Sequence, residues 1–285
     1  MPGISQSSQK DFSMKSRSFF GVGDKFQEFA KGKDVLTMNQ LKALTRLPHR
    51  LLNTHSVLML GQGAQEDEVF AFVHSVEASP ELSPRFELSD LQRVLDRAAP
   101  SASHKRIAHN TVIGAPARKS ADTFEVPLNL DERCELMGDR QTGQHVQGML
   151  LVEAFRQSFL AVTDTYFPLG QSKTCFVINT MHVEFLNFLF PLPAHIEYRI
   201  VEADVSGRRA RYKTTMCAVQ NGAQCASAVI GFTVYPAETI AQKEAELAAL
   251  LTQTMLAAAL RQSVLAVADS PAPQPQVDVE VESAA

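Results

Sequence analysis

Between Met149 and Val162 the chain carries ten apolar residues, with Glu153, Arg156 and Gln157 as the main polar exceptions. A helix that is apolar on nearly every side has to be buried on nearly every side. The surrounding sequence offers the cover. Segments 123–130, 174–186, 194–203, 208–220 and 223–235 read as strands, rich in β-branched and aromatic residues. The last three are separated by Ser206-Gly207 and Asn221-Gly222. Asn-Gly accepts positive φ at both positions, which a two-residue hairpin turn requires. The sequence thus predicts an antiparallel meander following one central helix. A buried helix wrapped by a curved antiparallel sheet is the hotdog fold, of the α+β class, and it is expected over residues 101–237.

With 285 residues the chain has room for one large domain or two small ones. Hydrophobic residues at 45% and charged residues at 20% are those of a globular protein. A net charge of −4 gives no general attraction to nucleic acid. No apolar stretch reaches the ~18 residues a membrane helix needs, and the first residues lack the apolar core of a leader peptide. The cysteines, Cys134, Cys175, Cys217 and Cys225, include no CxxC pair. Reduced thiols, no metal site and a cytoplasmic location are expected.

Residues 1–20 read as a loose tail, and 21–100 as an α/β extension of unknown role. Within it, Thr37 is placed to cap a helix running to Leu47. Segments 56–60 and 68–76 read as strands around a turn-rich GQGAQED, and Ser89 with Gln92 reads as a capping box for a helix over Leu91 to Leu95. A helix is expected over 238–268, then a disordered acidic tail over 269–285.

Charged groups on the central helix single out the candidate site. Arg156 and Gln157 lie three and four residues after Glu153, hence on its face. A structural Glu153–Arg156 pair is one reading; a carboxylate serving as acid or base in a substrate cavity is the other. Gly143, His145 and Gly148 lead directly into the helix. The first-turn amides, those of Gly148 and Met149 among them, have no acceptor within the helix and can polarise a carbonyl. His145 is a second candidate acid or base.

At this point a family likeness is visible. QHVQGMLLVEAFRQ (144–157) resembles the DHVPGMLLLEAARQ-type signature of the A-factor biosynthesis (AfsA-type) hotdog family, and the likeness extends over about 103–237. The resemblance implies acyl transfer from acyl carrier protein or CoA to a hydroxyl acceptor such as dihydroxyacetone phosphate, for butyrolactone-type signals or secondary metabolites, with no other cofactor. It implies catalytic roles for Glu153 and His145, thioester binding at Gly148 and Met149, and support from Arg156 and Gln157. His104, Lys105 and Arg106 become candidates for a substrate anion, and Phe155, Phe159, Val177 and Phe185 for the acyl chain. A dehydratase or thioesterase, and a non-catalytic acyl-binding module, are the alternatives. The chain departs from the family in three ways. It has one hotdog where signalling members have two, so a homodimer is expected. Gln147 replaces the usual Pro, and Asp139-Arg140 stands where Asp-His is frequent. Dehydratases of this fold carry a histidine at the position of Asp139.

Overall fold

The computed structural model describes residues 17–48, 55–89, 91, 97–139, 141–170 and 173–268, the last six of these for backbone only. Most of the expected N-terminal tail, all but the first residue of the expected Leu91–Leu95 helix and the acidic C-terminal tail lie outside the described residues. Arg17–Phe20, expected in that tail, instead begin the first strand.

The N-terminal segment is a small parallel α/β layer. Strands β1 (Arg17–Val22), β2 (Val35–Thr37), β3 (Ser56–Leu60) and β4 (Phe86–Glu87) form a parallel sheet in the order β2-β1-β3-β4. A short helix α1 (Gln27–Ala30) follows β1. Helix α2 (Met38–Leu44) starts at Thr37, whose hydroxyl accepts from the Gln40 N–H while the Gln40 side chain accepts from the Thr37 N–H. Segment 68–76, read as a strand, lies inside helix α3 (Glu66–Glu77). Its buried Val69, Phe72, Val73 and Val76 repeat at helical spacing, and three acids in the first turn favour the positive helix end.

The loop Gly61-Gln62-Gly63 joins β3 to α3 at the carboxyl end of the parallel strands. A glycine loop there commonly holds phosphate on its free amides. Here those amides are committed: they donate to the carbonyls of Gly21, Pro191 and Leu130 at 2.8, 3.0 and 3.0 Å. A Cβ on Gly61 would stand 2.2 Å from the Pro191 oxygen, so only glycine permits this approach. Between them the buried Gln62 side chain donates to the Leu128 and Leu192 carbonyls and accepts from the Leu130 N–H at 2.9 Å. The N-terminal sheet is thereby joined to the segments around Leu130 and Pro191, and Val22, Phe26 and Phe29 share one core with Val112, Leu130 and Leu151.

The second sheet contains β5 (Ala117–Arg118), β6 (Thr123–Pro127), β7 (Thr174–Phe185), β8 (His195–Ser206), β9 (Arg209–Gln220) and β10 (Ala223–Pro236). Its order is β5-β6-β8-β9-β10-β7. The β8-β9-β10 meander agrees with the sequence reading, and Asn221 and Gly222 have φ of 50° and 75°. Strand β7 does not adjoin β8; it crosses to the far edge beside β10, because β8 pairs with β6 on its other side. Register shifts at Ile200/Glu202 and Gln224/Ala226 are bulges that help the sheet curl.

Helix α4 (Gly148–Tyr166) runs against this sheet. Phe159, 1% exposed, stacks on Phe232 with ring centroids 4.4 Å apart, and Phe176 and Tyr212 extend the aromatic core. This is the predicted hotdog arrangement.

The described residues from Pro236 onward belong to a separate unit. Its described part is helix α5 (Ala237–Ala268), on which Leu247, Leu250, Leu251, Met255, Leu256 and Leu260 are exposed. No described helix is long and apolar enough to cross a membrane.

Candidate functional site

Glu153 sits in the second turn of α4 with its side chain 14% exposed. Burial favours the neutral acid, but the surrounding donors outweigh it. Arg156 gives two hydrogen bonds of 2.8 Å, from Nε to Oε2 and from Nη2 to Oε1. Lys105 Nζ lies 2.8 Å from Oε1, and Gln157 Nε2 donates to the same oxygen at 2.9 Å. Burial pushes the carboxyl up; hydrogen bonds from Arg156, Lys105 and Gln157 together carry it down to about 2. Its hydrogen bond to Glu153 holds Arg156 above the usual guanidinium value, against its own burial.

Gln157 is fully buried and saturated. Its Oε1 accepts from the Val112 N–H at 2.8 Å, and its Nε2 also donates to the Asn110 carbonyl at 2.8 Å. It fastens α4 to the segment preceding β5, which also delivers Lys105. Cys134 lies in the field of both Lys105 and Glu153, and burial pushes its thiol up.

Sequence reasoning missed Asp164. It lies eleven residues after Glu153, three helical turns along nearly the same face. His104 Nε2 stands 2.8 Å from Asp164 Oδ2, and the His104 ring meets Phe176 edge-on at 5.2 Å. His104 has φ of 56°, a left-handed backbone unusual outside glycine. One loop thus sends consecutive side chains, His104 and Lys105, to two carboxylates of one helix. The spacing of the two acids was the signal available in the sequence.

The remaining expected residues divide. Gly148 and Met149 open α4, and the Phe185 ring lies over Gly148, where a Cβ would approach Phe185 Cε1 to 2.8 Å. The Leu150 N–H donates to the Gln147 carbonyl at 3.1 Å. His145 packs against Phe188 at 4.8 Å between ring centroids, at this end of the helix and not beside Glu153. Met149, Phe185, Leu186 and Phe188 are all exposed, giving the helix start an apolar rim. Phe155 and Phe159 are sealed in the core, whereas Val177 is half-buried on β7. Arg106 and Asp139 are exposed, and Arg140 lies outside the described residues. A groove of about 670 Å³ opens over β6, β8, β9 and β10, bordered by Glu125, Glu197, Arg199 and Cys217, and does not include Glu153. Among the described residues no group of three or more His, Cys, Asp or Glu side chains can hold a metal ion.

Comparison with known proteins gives one family. A model described as the A-factor biosynthesis hotdog domain matches residues 87–236. Among solved structures the chain is similar to a mutant thioesterase from Pseudomonas aeruginosa, 14% identical, with a TM-score of 0.36 over 53% of this chain and 96% of that one. It is also similar to a thioesterase from Haemophilus influenzae, 12% identical, with a TM-score of 0.31 over 53% of this chain and 92% of that one. No curated protein matches.

Proposed function

The chain belongs to the A-factor biosynthesis hotdog-domain family, and from that premise we propose that it processes acyl thioesters, moving a β-ketoacyl chain from acyl carrier protein or CoA to a hydroxyl acceptor such as dihydroxyacetone phosphate. The product serves butyrolactone-type signal or secondary-metabolite synthesis in the cytoplasm. The observation that carries this reading is the start of α4, where first-turn amides lie inside an apolar rim one turn from a partly buried, ionised Glu153. The thioester oxygen accepts from the Gly148 and Met149 amides, each worth on the order of 3 kcal/mol of barrier when well aimed. Glu153 receives the acceptor's hydroxyl proton. The acyl chain lies along the rim, against Phe185 and Val177, while Arg106 adds positive charge for an anionic substrate. His145, packed on Phe188, is the second acid or base.

The protein acts as a homodimer paired through β7. This twelve-residue strand lies at a sheet edge beside exposed Phe185, Leu186 and Phe188. A long strand edge with unpaired backbone groups seeks a partner strand.

One observation favours the second reading, a non-catalytic acyl-binding module: the Glu153 carboxylate is fully engaged at rest. Purified protein given a β-ketoacyl thioester distinguishes the two. Transfer predicts thiol release that depends on the hydroxyl acceptor. Release indifferent to acceptor indicates a thioesterase, and conversion of a 3-hydroxyacyl thioester to the enoyl form indicates a dehydratase. Tight binding without release indicates the module.

Gly148→Ala sets a methyl against Phe185 at the mouth of this site. The exposed ring is free to swing away, so the fold survives. We expect KM for the acyl thioester to rise about tenfold, the effect of one misplaced methyl in a pocket. An unchanged KM would remove the acyl group from this end of the helix.

A further inference from the structure

Two of the donors on Glu153 are full cations, and both are more exposed than the carboxylate they hold. The Lys105 and Arg156 side chains are 27% and 30% exposed, against 14% for Glu153. Two cations and one carboxylate leave the cluster with a net positive charge. An anion arriving from solvent meets the cations first. Each charged donor it takes is a donor withdrawn from Glu153. Gln157 cannot follow, because the Val112 N–H and the Asn110 carbonyl hold its buried amide. After the exchange Glu153 keeps a single neutral donor in a largely enclosed position. Burial, which disfavours the charged carboxylate, is then no longer outweighed.

We propose that Glu153 is a base held in reserve: an anionic group on the acceptor substrate, a phosphate or carboxylate, takes Lys105 and Arg156 and by doing so frees Glu153 to receive the acceptor's hydroxyl proton. This rests on the acyl-thioester reading above and adds an order of events to it. The hydroxyl oxygen forms its bond to the thioester carbonyl carbon. The carbon–sulfur bond breaks and its electron pair leaves with sulfur. The proton passes from the hydroxyl to Glu153 and from there to the thiolate. Bond making and bond breaking balance with no further reactant. The same anion that identifies the correct acceptor therefore switches on the base, and an unoccupied site does not waste thioester on water.

The test uses the full chain, an acyl-CoA substrate, water as the acceptor and inorganic phosphate as the probe, with chloride at matched ionic strength as control. In the parent protein, thiol release is expected to rise roughly tenfold or more with phosphate and to saturate, within the range general-base catalysis provides. Lys105→Gln is expected to release thiol faster than the parent without phosphate and to respond less to it. Lys105→Arg should restore the response, and thermal melting of both variants reports that they are folded. A parent rate that phosphate leaves unchanged or lowers overturns the inference while leaving the thioester reading intact. So does a Lys105→Gln variant that is slower than the parent yet equally responsive. A parent protein that releases no thiol from acyl-CoA or acyl carrier protein even when dihydroxyacetone phosphate is supplied as the hydroxyl acceptor overturns the thioester reading and this inference with it.

Discussion

Glu153→Gln lowers kcat for thioester cleavage by roughly 10²–10⁴-fold, the range for losing a general base, and leaves KM for the acyl thioester close to the parent value. The amide keeps the shape of the carboxylate and its contact with Gln157, but it cannot take a proton. Steady-state thiol release at saturating donor measures the effect. A variant within threefold of the parent would move the chemistry elsewhere. The same substitution has a signature in stability. The folded carboxyl titrates at about 2 against an ordinary value of 4.5, so ionised Glu153 favours the folded state. That contribution is complete above pH of about 4.5 and is lost as pH falls toward about 2, an interval worth about 3 kcal/mol. Urea unfolding of parent and variant should therefore differ most near pH 7 and converge near pH 2. A gap that stays constant across this interval would mean that the ion cluster does not stabilise the fold.

Gln62→Leu is expected to destabilise the protein by about 4 kcal/mol. Leucine fills a similar volume but leaves the Leu130 N–H and the Leu128 carbonyl without the partner that Gln62 supplies, while the Leu192 carbonyl keeps its hydrogen bond from Gln220. Each buried orphan costs about 1–3 kcal/mol. The midpoint of urea unfolding reads the change, with an unchanged slope indicating that the transition remains single. A loss below 1 kcal/mol would show that these groups find other partners. No feature of the sequence marks Gln62. A glutamine between two glycines in a turn-rich stretch looks solvated, and its importance appears only once Leu128, Leu130 and Leu192 are brought around it.

The central helix was legible because burial on all sides leaves a composition that nothing else produces. The β8-β9-β10 hairpins were legible because Asn221-Gly222 specifies its turn locally. Local signals are ambiguous for α3, where Val69, Phe72 and Val73 favour strands by type and a helix by spacing. They are silent on β7, whose position beside β10 depends on pairings between distant segments. At the site, the Glu153–Arg156–Gln157 face followed from helical spacing. Lys105 was assigned to a substrate anion, but at rest it holds Glu153, a contact spanning 48 positions that no spacing rule contains. The family match begins at Glu87 and so does not cover β1, β2 or β3.

The occupied glycine loop between β3 and α3 has a practical consequence. A fragment beginning near residue 100 keeps the QHVQGMLLVEAFRQ motif, yet it strips the Pro191 and Leu130 carbonyls of their donors and removes Val22, Phe26 and Phe29 from the shared core. Such a trimmed protein should be recovered as aggregate.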